Sequence, residues 1–427
     1  MMQKSRAEIS PRLLIHRRIF FGCCMALVFF IPVFGRILPP IIAFMVLNWL
    51  VEGRFIRNIN RFFKDSFRWK TFLLSVLFLL YFLGMSYSTN KQYGWFDLEI
   101  KFSLLLFPLL FSTIDDSLDQ KQINQILKTF VAGCFTGSIM LLIHAFQAYG
   151  ETGRMDSFAY TKLSWYFHSS YMSMYLLFAI SILLCFIIVR WQMIPWFGKA
   201  GIILLLLWFF IFIIFLSSKA GFIGLFSVIT LYVLILGFRY RRWLTAAGVL
   251  TATVLLFFFA LEVFPFAFHR ISEAGHDLTG QVQNTEHGSS IGDRIGVWKA
   301  CSGIIGQNLL FGVGTGDVKD ELLNAYKADN IQAALESKLN AHNQYLQTFV
   351  TLGIPGFLVL LTMILQPAWI SVKRNHYIFF SFLLLFAINI MVESMLEVQQ
   401  GVIFYAFFNT LLFWSMIKGD KQTTHLH

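Results

Sequence analysis

Three cationic or titratable side chains stand where apolar runs turn or begin. Lys219 lies in "FLSSKAGFIGL", Arg294 in "DRIGVWKACSGIIG", and His342 near the head of "LNAHNQYLQTFVTLGIPGFLVLL". These residue types suit transfer of a group from a lipid-linked diphosphate to a hydroxyl. A departing diphosphate carries charge that fixed Lys and Arg donors stabilise in place of a metal. Arg offers a planar fork to phosphate oxygens, and Lys a compact point charge. The acceptor hydroxyl must lose a proton, and imidazole titrates near enough to neutrality to serve as general base. The spacing of His342, Tyr345, Leu346 and Phe349 predicts one helix face, with the base at its watery end. Below it, Gly353 and Gly356 predict a close helix approach.

Each position also has a plainer explanation. Lys219 reads equally as a helix-end lysine snorkelling to the membrane surface, Arg294 as a solvated loop residue, and His342 as an interfacial residue with Asn340 as N-cap. Their common place at one boundary favours the chemical reading, because ionisable groups beside a membrane span are functional candidates by default. Asn343 and Tyr345 flank the imidazole as supporting groups. Glu393 and Glu397, four apart in "VESMLEVQQG", either assist proton transfer and orient a base or simply face water. His168 in "WYFHSSYMSMYL" is a further outer-boundary histidine, suited to contact an acceptor or lipid. "GVGTG" reads first as a turn and second as a phosphate cradle. "IDDSLD" contains Asp115, Asp116 and Asp119 in a spacing that can hold Mg²⁺. It falls on the opposite side, however, and heads a polar helix where acidic residues suit the dipole. No metal and no cofactor are expected.

The elements that must position these residues are membrane helices. Of 427 residues, 57% are hydrophobic and 13% charged, with 49 Phe, whereas soluble proteins carry about 25% charged residues. Long apolar runs favour helices over a barrel. Twelve spans are expected, at 19–35, 37–51, 71–88, 101–114, 126–149, 169–189, 201–217, 220–237, 244–264, 342–370, 377–392 and 400–417. Pro32, Pro39, Pro40 and Pro108 soften the ends of the first, second and fourth. The first is read as an anchor rather than a cleaved signal. Basic clusters such as "FRYRRW" and "SVKRN" lie on the side shared by both termini, which predicts that side to be cytoplasmic. The net charge of +11 therefore orients helices and touches anionic membrane lipid rather than nucleic acid. Five cysteines form no disulfide framework or zinc spacing. The expected organisation is an N-terminal bundle over 1–264, an exterior cap over 265–341 and C-terminal spans with a tail over 342–427. The cap should hold short helices, with Ile295, Trp298, Cys301 or Ser302, and Ile305 on one face.

"AHNQYLQTFVTLGIPGFL", preceded by "GDRIGVWKACSGIIGQNLLFGVGTGD" and an exterior loop, resembles the O-antigen ligase/polymerase superfamily. That resemblance implies an all-α polytopic membrane fold of about twelve spans with a large periplasmic loop. It implies a metal-independent, inverting glycosyltransferase of the bacterial cytoplasmic membrane, facing the periplasm. The donor would be a glycan on undecaprenyl diphosphate, and the acceptor lipid A-core for a ligase or a growing glycan for a polymerase. It further implies His342 as the catalytic histidine and Arg294 as a diphosphate contact. The family generally carries Arg where this chain has Lys219, so the charge is kept and the bidentate geometry is not. The rival of another class is a lipid or polysaccharide transporter, which predicts ionisable residues spread through the bilayer midplane.

Overall fold

A backbone in hydrocarbon can hydrogen-bond only to itself, so apolar runs of this length become helices. The computed structural model describes residues 10–53, 66–114, 118–166, 168–263 and 291–423, and no strand occurs among them. The helices begin with α1 (Pro11–Phe30), α2 (Leu38–Glu52), α3 (Ser66–Phe72), α4 (Val76–Gly84), α5 (Lys91–Lys101) and α6 (Ser103–Thr113). Next come α7 (Gln120–Thr152), α8 (Tyr160–Leu163), α9 (Ser169–Arg190), α10 (Trp196–Leu216), α11 (Lys219–Leu234) and α12 (Trp243–Val263). The chain continues with α13 (Ile291–Gln307), α14 (Val318–Ala328), α15 (Gln332–Glu336), α16 (Gln344–Lys373), α17 (Tyr377–Asn389) and α18 (Gln399–Thr423).

Among the described residues, 8 helical stretches are long and apolar enough to cross a membrane. Shorter apolar helices at Lys70–Gly84, Ser103–Thr113, Trp243–Phe259 and Tyr377–Asn389 fall on the remaining expected spans. The chain is an all-α polytopic membrane protein. Its centre is α9 and the first part of α18, whose apolar windows are 72% and 89% buried. Aromatic rings weld these helices to α7 and α17. Phe130 meets Phe408 at 4.9 Å, Phe178 meets Phe408 at 5.0 Å, and Phe178 meets Phe382 at 5.2 Å, all edge to face, the arrangement the ring quadrupole favours.

Helices α13 to α15 carry a second, smaller core formed by Val297, Cys301, Ile304, Leu322, Tyr326 and neighbours, reaching Val350 on α16. The buried face of α13 is rotated from the expected one. Val297, Cys301 and Ile304 are inside, Trp298 and Ile305 are partly buried, and Ile295 is 58% exposed. The five cysteines are free.

Three expectations about α16 are corrected. The N-cap is Asn343, whose Oδ1 accepts from Leu346 N at 3.1 Å. Asn340 instead accepts from His342 N at 3.0 Å. His342 therefore precedes the helix and does not share a helical face with Tyr345. The glycines also serve differently. Gly353 breaks the helix at φ 63°, ψ −155°, a region essentially confined to glycine. What approaches there is not a helix but the 309–316 loop. A Cβ on Gly353 would lie 2.5 Å from Leu310 O, whereas one on Gly356 would meet its own Leu352 side chain. "GVGTG" is the turn of that loop. Val313 N donates to Val350 O and Gly314 N to Thr351 O, both at 2.9 Å, and Ile354 N donates to Leu309 O at 3.0 Å. Of the acidic run, Asp115 and Asp116 lie outside the described residues, as do 265–290 of the expected cap. Asp119 caps α7 in a reciprocal pair with Gln122.

Candidate active site

Two apolar helices that meet at a tight turn leave their end groups to be satisfied locally. At the α10–α11 corner Ser217 takes a left-handed backbone, φ 46°, and Ser218 caps α11 by accepting from Gly221 N at 3.3 Å. Lys219 is thus the first residue of α11. A cation there opposes the helix dipole, which favours negative charge, so a bound anion would relieve the conflict. Ser218 Oγ lies 3.4 Å from Ser170 Oγ at the start of α9. His168 is the N-cap of α9 and accepts from Ser170 N at 3.3 Å.

Lys219, His168, Ser170, Ser218, Arg294 and Glu393 line one cleft of about 440 Å³ including its mouth, with Tyr160 at its edge. Glu393 is its hub. It is 7% exposed and stands in the connector 390–398 between α17 and α18. Arg294 donates to Val392 O at 2.9 Å and to Glu393 Oε1 at 3.2 Å. His342 Nδ1 lies 3.2 Å from Glu393 Oε2, and His168 Nδ1 lies 3.8 Å from Oε1. Burial raises the Glu393 pKa. The hydrogen bond with His342 and the charges of His168, His342 and Arg294 outweigh that cost, leaving the carboxyl below its ordinary value. An ionised carboxylate only accepts, so its contact with His342 calls for the Nδ1–H tautomer and leaves Nε2 as the basic nitrogen.

The backbone around this cleft is unusual. Tyr160, Ser217 and His342 all have positive φ, at 50°, 46° and 44°. Non-glycine residues seldom do so, and such strain gathers at functional sites. His342 is held in this conformation by Asn340 on one side and by Trp298 of the cap, which donates to Ala341 O at 3.0 Å, on the other.

Residues 204–361 match a family model described as O-antigen ligase. Over that stretch the chain is similar to the O-antigen ligase family. The match takes in Lys219, Arg294 and His342 and ends before Glu393. A curated relative from Haemophilus influenzae, itself described as an uncharacterized protein, is 27% identical over 165 residues, covering 37% of this chain. The chain spans 40% of that relative's length.

The structure brings Lys219, Arg294, His168 and Glu393 to one cleft and bonds His342 to the last of them. It places three expected supporting groups otherwise. Asn343 is a helix cap whose own N–H donates to Ser394 Oγ at 3.2 Å. Tyr345 turns to α17, where its hydroxyl donates to Ala387 O at 3.3 Å. Glu397 does not share a helix face with Glu393, because α17 ends at Asn389 and both carboxylates lie in the connector. Glu397 instead joins a separate buried cluster with Lys101 and Asp97, which sequence reading missed. The signal was a lysine and an aspartate four apart, between two shorter apolar helices, Lys70–Gly84 and Ser103–Thr113. Ser170, Ser217 and Ser218 were also legible in part, as hydroxyls beside His168 and Lys219.

Proposed function

We propose that this protein is a glycosyltransferase that moves a glycan from undecaprenyl diphosphate to an acceptor hydroxyl, with lipid A-core the favoured acceptor in O-antigen ligation. The observation that carries the reading is a histidine held through Nδ1 by a buried carboxylate, beside a cleft that also takes Lys219 and Arg294. In the proposed step, His342 Nε2 takes the hydroxyl proton as the acceptor oxygen bonds the anomeric carbon. The anomeric bond to the diphosphate breaks, its electron pair stays on the diphosphate oxygen, and configuration inverts. Lys219 and Arg294 stabilise that departing charge without a metal, and Glu393 stabilises the imidazolium that forms. The basic bias of the terminal side supports a bacterial inner-membrane orientation with both termini in the cytoplasm and the cleft facing the periplasm.

The test is transfer by purified protein in detergent, supplied with undecaprenyl-diphosphate-linked glycan and lipid A-core, with and without EDTA. Product formation insensitive to EDTA is expected, and detergent removes the second compartment that a transporter would need. His342→Ala should abolish transfer while the protein remains in the membrane; full activity would remove His342 as the base. Polymerisation of repeat units uses the same donor chemistry. The surface glycan of a deletion strain separates the two: a lipid anchor bare of polymer marks the ligase, and an anchor bearing one repeat marks the polymerase.

A further inference from the structure

His342 and Glu393 both stand on connectors rather than on helices, so the distance between them depends on what ties those connectors together. Gln344 does much of this. Its N–H donates to Ile390 O at 2.8 Å, its Oε1 accepts from Leu396 N at 2.7 Å, and its Nε2 donates to Glu397 Oε1 at 3.0 Å. The other oxygen of Glu397 accepts from Lys101 Nζ at 2.9 Å, and Lys101 is also 2.5 Å from Asp97 Oδ1. Lys101 is completely buried, and its ammonium stands 4.8 Å over the Tyr81 ring. The Tyr81 hydroxyl meets Thr348 Oγ1 at 3.1 Å, and Thr348 also receives Gln344 Nε2 at 3.2 Å. The ring of contacts thus runs from α5 through the connector to the first turn of α16 and back to α4.

We infer that Lys101 is a positioning residue: through Glu397 and Gln344 it fixes the 390–398 connector against the start of α16, and so holds Glu393 on His342. Its charge touches neither substrate nor the imidazole. Removing it leaves the buried Asp97 carboxylate and the largely buried Glu397 carboxylate without their shared cation, and they must separate or take up protons. Either change frees Gln344 and with it the register of the two connectors. A displacement of about 1 Å at a reacting group costs on the order of a hundredfold in rate.

The inference rests on His342 acting as base, and the experiment separates the two. In the detergent transfer assay, Lys101→Met should lower kcat by about ten- to a hundredfold and leave the donor KM within about twofold. The acidic limb of the kcat/KM profile should also move, because the imidazole has lost its fixed partner. Lys101→Met combined with Asp97→Asn and Glu397→Gln removes all three charges and leaves two amides able to bond each other and Gln344, and should recover most of the rate. If Lys101→Met does not survive extraction, Glu397→Gln carries the same test. Wild-type kcat and pH profile in Lys101→Met, or in Glu397→Gln when that variant carries the test, with His342→Ala inactive, would overturn the positioning role alone. An active His342→Ala would overturn the reading of the site beneath it.

Discussion

At the scale of single residues, the cleft is a balance of charge around one carboxylate. Glu393 accepts from Arg294 and His342 in a nearly dry position. Because its folded pKa lies below the ordinary 4.5, its ionisation contributes stability above that value, and the contribution is lost as pH falls through the folded pKa. Thermal unfolding in detergent should therefore lose midpoint temperature below about pH 4.5, and Glu393→Gln should flatten that acid limb. The same variant keeps an oxygen for Nδ1 but no charge for the imidazolium, so its transfer rate should fall by about ten- to a hundredfold. Lys219 gives a second check. Lys219→Ala should weaken donor use more than Lys219→Arg, measured as kcat/KM; equal values for all three forms would rule out a charge role.

At the scale of elements, two of the three key side chains stand just outside or at the very start of helices: Lys219 at the first position of α11 and His342 before α16. This is why apolar periodicity located the spans well and the site geometry poorly. Long runs such as 169–189 and 400–417 announce their helices because lipid permits nothing else. The break at Gly353 and the end of α17 meet partners more than 30 residues away, Leu310 and Gln344, and the left-handed turn at His342 combines the local Asn340 contact with the distant Trp298. No local pattern shows that Asn343 rather than Asn340 caps α16, since both have the right side chain. The pairing of Lys101 with Glu397 spans 296 positions, so no local pattern links the two. Gly353→Ala supplies the test at this scale. The added carbon meets Leu310 O at 2.5 Å and the backbone is one that alanine avoids. A destabilisation of about 2 kcal/mol or more is expected, seen as a lowered unfolding temperature at unchanged expression.

For the molecule as a whole, the lipid-facing bundle and the polar cap have separate cores, and topology follows from where charge collects. A fluorescent protein fused after His427 should light up, and alkaline phosphatase inserted at the exposed α14–α15 turn after Asp329 should be active. The reverse pattern would invert the proposed orientation. The 309–316 loop has a further effect. Its amides complete the carbonyls of Val350 and Thr351, and Leu309 O receives Ile354 N, at the depth where α16 interrupts itself. Lifting the roof away would orphan several main-chain groups at about 1–3 kcal/mol each. The 309–316 loop is therefore fastened to α16, and the two should open together rather than apart. Deuterium uptake at the Val313, Gly314 and Ile354 amides should accordingly lag until the entire domain melts.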